Sequence, residues 1–128
     1  MPSPYHHIEV EHRDDVWCVR LRNRRLDEQE LAEMTGEIVG LVKGEGCRKL
    51  ALSLGPEPPQ FLYSVFLARL VSLQRLLREN AGALVLCELR PDVFRIFEAC
   101  KLDGQFRFAR TFADAQTILN PPSGGQSS

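Results

Sequence analysis

Leu50-Ala51-Leu52-Ser53-Leu54-Gly55-Pro56-Glu57-Pro58-Pro59-Gln60 opens the stretch on which the fold turns, and the run from Phe61 to Glu79 completes it. The first five residues form a short apolar run between the basic pair Arg48-Lys49 and a Gly-Pro breaker, the pattern of a strand covered on both faces. Phe66, Leu70, Leu73 and Leu77 then recur at helical period and make one apolar stripe. Ser64, Ala68, Ser72, Arg75 and Glu79 fall on the opposite face. Pro58 and Pro59 suit neither a helix interior nor a central strand, so they confine the turn to a loop ahead of the helix. A strand that ends in a loop feeding a helix is where α/β proteins place binding and chemistry. Any site is expected here.

Outward from that stretch, the same signals repeat. Ile8-Glu9-Val10-Glu11-His12 alternates, Asp14-Asp15 reads as a turn, and Val16-Trp17-Cys18-Val19-Arg20-Leu21 resumes, which is a hairpin pattern. Asp27 with Glu30 resembles a capping box, opening a helix whose apolar face is Leu31, Met34, Ile38, Leu41 and Val42 and whose stop is Gly44 and Gly46. Downstream, Ala83-Leu84-Val85-Leu86-Cys87 is a second buried strand. Pro91 suits the first turn of a helix that buries Val93, Ile96, Phe97 and Cys100. Phe106 to Ala109 is a short strand, and Thr111 with Asp114 opens a last helix through Leu119.

The order β-β-α-β-α-β-α-β-α implies one α/β domain. Its mostly parallel mixed sheet has about five strands and an antiparallel N-terminal hairpin, with about four helices packed mainly on one face. The domain is expected over residues 8–119, between a disordered N-terminus at 1–7 and a disordered tail at 120–128.

Composition narrows the function classes. The formal net charge of −1 gives no bulk electrostatic reason to bind nucleic acid or an anionic membrane. No apolar run approaches the roughly 20 residues a spanning helix needs, and no signal-peptide pattern opens the chain, so a cytoplasmic location is expected. Cys18, Cys47, Cys87 and Cys100 lack paired spacing and read as buried, inert thiols, with Cys47 the one expected to be exposed. No metal or cofactor is expected. Phosphate-binding glycine loops and nucleophile elbows are absent, and His6, His7 and His12 read as surface residues, so the chain is not expected to be an enzyme. Arg20, Arg22, Arg24 and Arg25 read as a solvated segment beside Asp27, Glu28 and Glu30, since no aromatic residues are interleaved to stack bases.

The small column Ser64, Ala68, Ser72 stands beside Phe61 and Tyr63, and such a face permits close approach by a partner. In sum the chain resembles the STAS domain family, of the anti-sigma factor antagonist type. The resemblance is carried by Arg25-Leu26-Asp27, Lys49 to Leu54, Phe61 to Ala68, Ala81 to Cys87, Arg90 to Val93 and Lys101-Leu102-Asp103, and it covers Ile8 to Leu119. It implies a bacterial partner-switching role in transcription regulation. A loop motif of the form Asp-Ser-Ser-Gly-Leu precedes the helix in that family, and a kinase-like anti-sigma factor phosphorylates its second serine. Here Tyr63 stands at the aspartate, Ser64 at the first serine, Val65 at the phosphorylated serine and Phe66 at the glycine.

The resemblance therefore implies a non-enzymatic module that docks a serine-kinase-type anti-sigma factor, or a related signalling protein, as a monomer or weak homodimer. The contact would run through Gln60, Phe61, Tyr63, Ser64, Ala68 and Ser72. Val65, lacking a hydroxyl, cannot be phosphorylated, which leaves Ser64 as the candidate phospho-acceptor. Two alternatives belong to other classes. One is a nucleotide or small-molecule site at Leu54–Gln60 and the Ser64 amide; the other is a structural, self-associating domain.

Overall fold

The computed structural model describes residues 5–22, 27–55 and 64–121, with the side chain of Ser64 outside the description. Its elements follow the expected order: β1 (Ile8–Arg13), β2 (Val16–Leu21), α1 (Glu28–Lys43), β3 (Lys49–Ser53), α2 (Ser64–Glu79), β4 (Ala83–Cys87), α3 (Pro91–Ala99), β5 (Arg107–Ala109) and α4 (Phe112–Leu119). The five strands lie in the order β1-β2-β3-β4-β5. Only β1 and β2 are antiparallel; β2–β3, β3–β4 and β4–β5 are parallel.

Alternation along the strands splits the core in two. Leu50, Leu52, Leu54, Leu84 and Leu86 face α1, α2 and α3, while Cys18, Ala51, Val85 and Cys87 face α4. Three helices thus cover one face and one covers the other, which explains why β3 and β4 are apolar throughout. The α1 stripe is buried as expected at Leu31, Met34, Ile38, Leu41 and Val42, each side chain contributing about 1.5–3 kcal/mol of transfer free energy. Asp27 accepts the Glu30 N–H at 2.8 Å and Glu30 accepts the Asp27 N–H at 3.1 Å, completing the capping box. At the other end of the sheet, Asp15, Lys49 and Asn120 join side chains and tie the end of α4 to the hairpin turn.

Three expectations are corrected. Cys47 is buried and Cys100 exposed, the reverse of their reading. The Cys47 N–H donates to the Leu41 carbonyl at 2.8 Å, which folds the chain back beneath the end of α1 after Gly46 at φ 77°. Cys100 caps α3; the chain leaves the helix there through Lys101 at φ 60°, and Leu102 packs on the core in its place. His7 is half-buried, its Nε2 3.1 Å from Glu33, while Glu37 accepts the backbone N–H groups of His6 and His7. The arginine segment is not a simple solvated loop either. Arg20 pairs with Glu88 and Arg22 donates to the Ile8 carbonyl, whereas Arg24 and Arg25 lie outside the described residues.

Candidate functional site

The parallel strands end together at one edge of the sheet, and the 56–63 connection leaves from it. Ser53 is the last residue of β3 and is 1 % exposed, a hydroxyl closed inside an otherwise apolar strand. A buried hydroxyl must find partners, and Ser53 finds three. Its Oγ lies 2.5 Å from Glu88 Oε1 and 3.0 Å from the Gly55 carbonyl, and it accepts the Gly55 N–H at 3.2 Å.

Glu88 follows β4 directly and stands at φ 62°, a left-handed conformation that a residue with a Cβ adopts at a cost. Its N–H donates to the Ala109 carbonyl at 3.3 Å, and its carboxylate is held as well. Arg20, near the end of β2, donates to Glu88 Oε1 at 2.6 Å, and the Arg20 guanidinium rests 4.6 Å above the Phe112 ring of α4. The ends of β2, β3 and β4 and the start of α4 are therefore clasped by one polar cluster where the 56–63 segment begins. It fixes the root of that segment.

The cluster was not among the sequence-predicted site residues. Its signal was faint: a serine inside an apolar run, an acid directly after a strand and an arginine near the end of another. Only the strand order brings the three together.

Of the predicted docking residues, Gln60, Phe61 and Tyr63 lie outside the described residues, and Ser64 is the first residue of α2. Val65 is half-buried and packs against the main core. Ala68 and Ser72 are exposed on the face opposite the buried Phe66, Leu70, Leu73 and Leu77, and Arg75 and Glu79 extend it. Beside that face the Nε of Arg69 is buried and has no hydrogen-bond partner among the described residues. The first turn of α2 carries no acidic residue, so no carboxylate there offsets the positive end of the helix. Among the described residues, no group of three or more His, Cys, Asp and Glu side chains is placed to hold a metal, and no helix is long and apolar enough to cross a membrane.

Solved structures share this architecture. An anti-sigma-factor antagonist (STAS) domain protein from Planctomyces limnophilus superposes with a TM-score of 0.71 at 22% identity, over 87% of this chain and 97% of its own. An anti-sigma factor antagonist from Mycobacterium paratuberculosis gives 0.72 at 24% identity, over 93% and 98%. The phosphorylated form of the Bacillus cell fate determinant SpoIIAA gives 0.64 at 16% identity, over 87% and 98%. At these identities the likeness is one of fold. The sequence itself matches the STAS domain family model over residues 7–115, and the chain belongs to the STAS domain family.

Proposed function

We propose that this STAS domain is a non-enzymatic binding module that docks a kinase-like anti-sigma factor through residues 60–72. On this reading it acts without phosphorylation at position 65. The observation that carries it is the arrangement at the start of α2. Val65, with no hydroxyl, is turned partly into the core, while Ala68 and Ser72 present a small, exposed face on α2. A partner helix or loop approaches such a face closely because no long side chain has to be moved aside. One anti-sigma factor antagonist relative is known in a phosphorylated form, and its fold is this one. Ser64 is the first residue of α2 and carries an aliphatic hydroxyl at the helix N-terminus, where the helix dipole tolerates an added anion.

The nucleotide alternative has less support. At the loop root the Leu54 N–H is used by the Cys87 carbonyl and the Gly55 N–H by Ser53 Oγ, so neither donor is free for a phosphate. Titration calorimetry of the purified chain with each kinase-like anti-sigma factor of its host tests the proposal. Ala68→Arg is expected to weaken the complex at least about tenfold by placing bulk and charge inside the contact. Binding that survives both Ala68→Arg and Ser64→Glu unchanged would move the docking surface elsewhere.

A further inference from the structure

A groove runs along the C-terminal half of α2, from Val71 to Arg78, adjoining the Arg75 end of the docking face, where the helix faces the 104–107 segment leading into β5. One part, of about 290 Å³, lies between Gln74 and Arg78 on the helix and Gln105, Phe106 and Arg107 at the start of β5. A second, of about 130 Å³, continues it over Arg75. Gln74, Arg78 and Gln105 line both, so the two are one concavity.

Arg75, Arg78 and Arg107 therefore stand on a single groove, and among the described residues no carboxylate lines either part. All three are exposed, and none is ion-paired among the described residues. Elsewhere Arg13 pairs with Glu11, Arg20 with Glu88 and Arg90 with Asp92, while Arg95 and Arg110 are also exposed and without an ion pair among the described residues; what sets Arg75, Arg78 and Arg107 apart is the groove they share. The excess is local, since the whole chain carries a formal net charge of −1. Two of the three have an ordinary use: Arg78 suits the last turn of a helix, and Arg107, a cation on an edge strand, discourages strand pairing. Neither use requires all three to share one concavity with no acid among its described lining.

The walls suit an anion. Gln74, only 9 % exposed, donates its side-chain amide to the Gln105 carbonyl and so fixes the helix to the loop across the groove. Two of the carbonyls at the end of α2 are occupied, Leu77 by the Gly82 N–H and Arg78 by the Ala81 N–H, so the cations are left to set the charge of the groove. Phe106 and Leu84 give the inner wall an apolar surface.

We propose that this groove binds a phosphorylated small molecule, with its phosphomonoester among the three guanidinium groups and its body against Phe106. The volume sits at the lower limit for small-molecule sites, which start near roughly 300 Å³ and so favour a compact ligand. A phosphomonoester carries about −1.5 to −2 charges and accepts forked guanidinium donors, a better match to three cations than a single carboxylate.

The test is an amide and side-chain NMR titration of the full chain at low ionic strength, with inorganic phosphate and with AMP. Saturable shifts are expected at Gln74, Gln105 and Arg107, with Ala68, two turns before Arg75 on α2, unmoved. Arg78→Gln and Arg107→Gln should each weaken AMP binding about tenfold, and added salt should weaken it further. Both side chains are exposed, so the variants should melt as the parent does, and that is checked first. No saturable shift with either ligand, or shifts indifferent to both substitutions, would overturn the proposal. So would binding of a short polyglutamate peptide in the groove with neither phosphate ligand bound.

Discussion

The backbone carbonyl of Glu88 fills the space a Cβ on Gly55 would need, the two meeting at 2.0 Å. Around that contact the Leu54 N–H donates to the Cys87 carbonyl at 3.0 Å, and Ser53 Oγ meets the Glu88 carboxylate at 2.5 Å. The exits of β3 and β4 are thus joined through backbone and side chain immediately before the segment proposed to dock a partner. Whatever that segment does, it starts from a fixed point.

Gly55→Ala should therefore destabilise the domain by about 1–3 kcal/mol, because the clash is with backbone held by two paired strands and cannot be relieved by a rotamer change. The measurement is the urea midpoint at constant slope. Gly104→Ala is the control: nothing lies within 4 Å of a Cβ there, so its midpoint should stay close to the parent's.

Arg20 and Glu88 should show a favourable coupling of about 1 kcal/mol in a double-mutant cycle to alanine. The pair is charge-assisted at 2.6 Å, and 41 % and 21 % side-chain exposure limits what solvent leaves of it. Ser53→Ala should cost a similar amount by removing a hydroxyl that touches the same carboxylate. Strictly additive effects would mean that the three residues do not act as one cluster.

Ala81→Gly should stabilise the chain, by a few tenths to about 1 kcal/mol. Ala81 stands at φ 60° just beyond α2, where Gly82 N–H bonds to Leu77 and Ala81 N–H to Arg78, the paired bonds of a left-handed helix stop. Glycine takes that conformation without the Cβ penalty, and thermal melting of the variant measures the gain.

Burial pushes the Cys47 thiol up to about 12, and the Cys87 thiol up to about 12 with Glu88 and Cys18 adding to the effect. Burial also raises Cys18. The unfolded chain loses these protons first, from about pH 9 upward, so the stability they contribute is complete below that value and falls as pH rises towards 12. Urea midpoints should accordingly be lower at about pH 10.5 than at about pH 8. At neutral pH a thiol reagent should modify Cys100 rapidly and the three buried cysteines only on unfolding.

Much of the architecture was legible as periodicity. The α1 stripe from Leu31 to Val42, the α2 stripe from Phe66 to Leu77 and the Asp27–Glu30 cap are local patterns of spacing, and all are found in place. The parallel sheet followed from strands alternating with helices. What escaped reading was long-range or depended on one backbone angle. Arg20 and Ser53 reach Glu88 across 68 and 35 residues of sequence, and no local pattern announces such a meeting. Cys47 and Cys100 were exchanged because each follows a helix end where one positive-φ neighbour, Gly46 or Lys101, redirects the chain. Of the docking residues, Ala68 and Ser72 lie on the exposed face that the helical period assigns them.

The measurement that bears most directly on the proposed function is intact-mass spectrometry of the chain incubated with ATP and a kinase-like anti-sigma factor that binds it, alongside Val65→Ser. The account predicts a stable complex and no added mass for the parent chain, with a single phosphate appearing when Val65→Ser restores the hydroxyl. A phosphate on the parent chain at Ser64, followed by release of the partner, would contradict the claim that docking here is free of phosphorylation control.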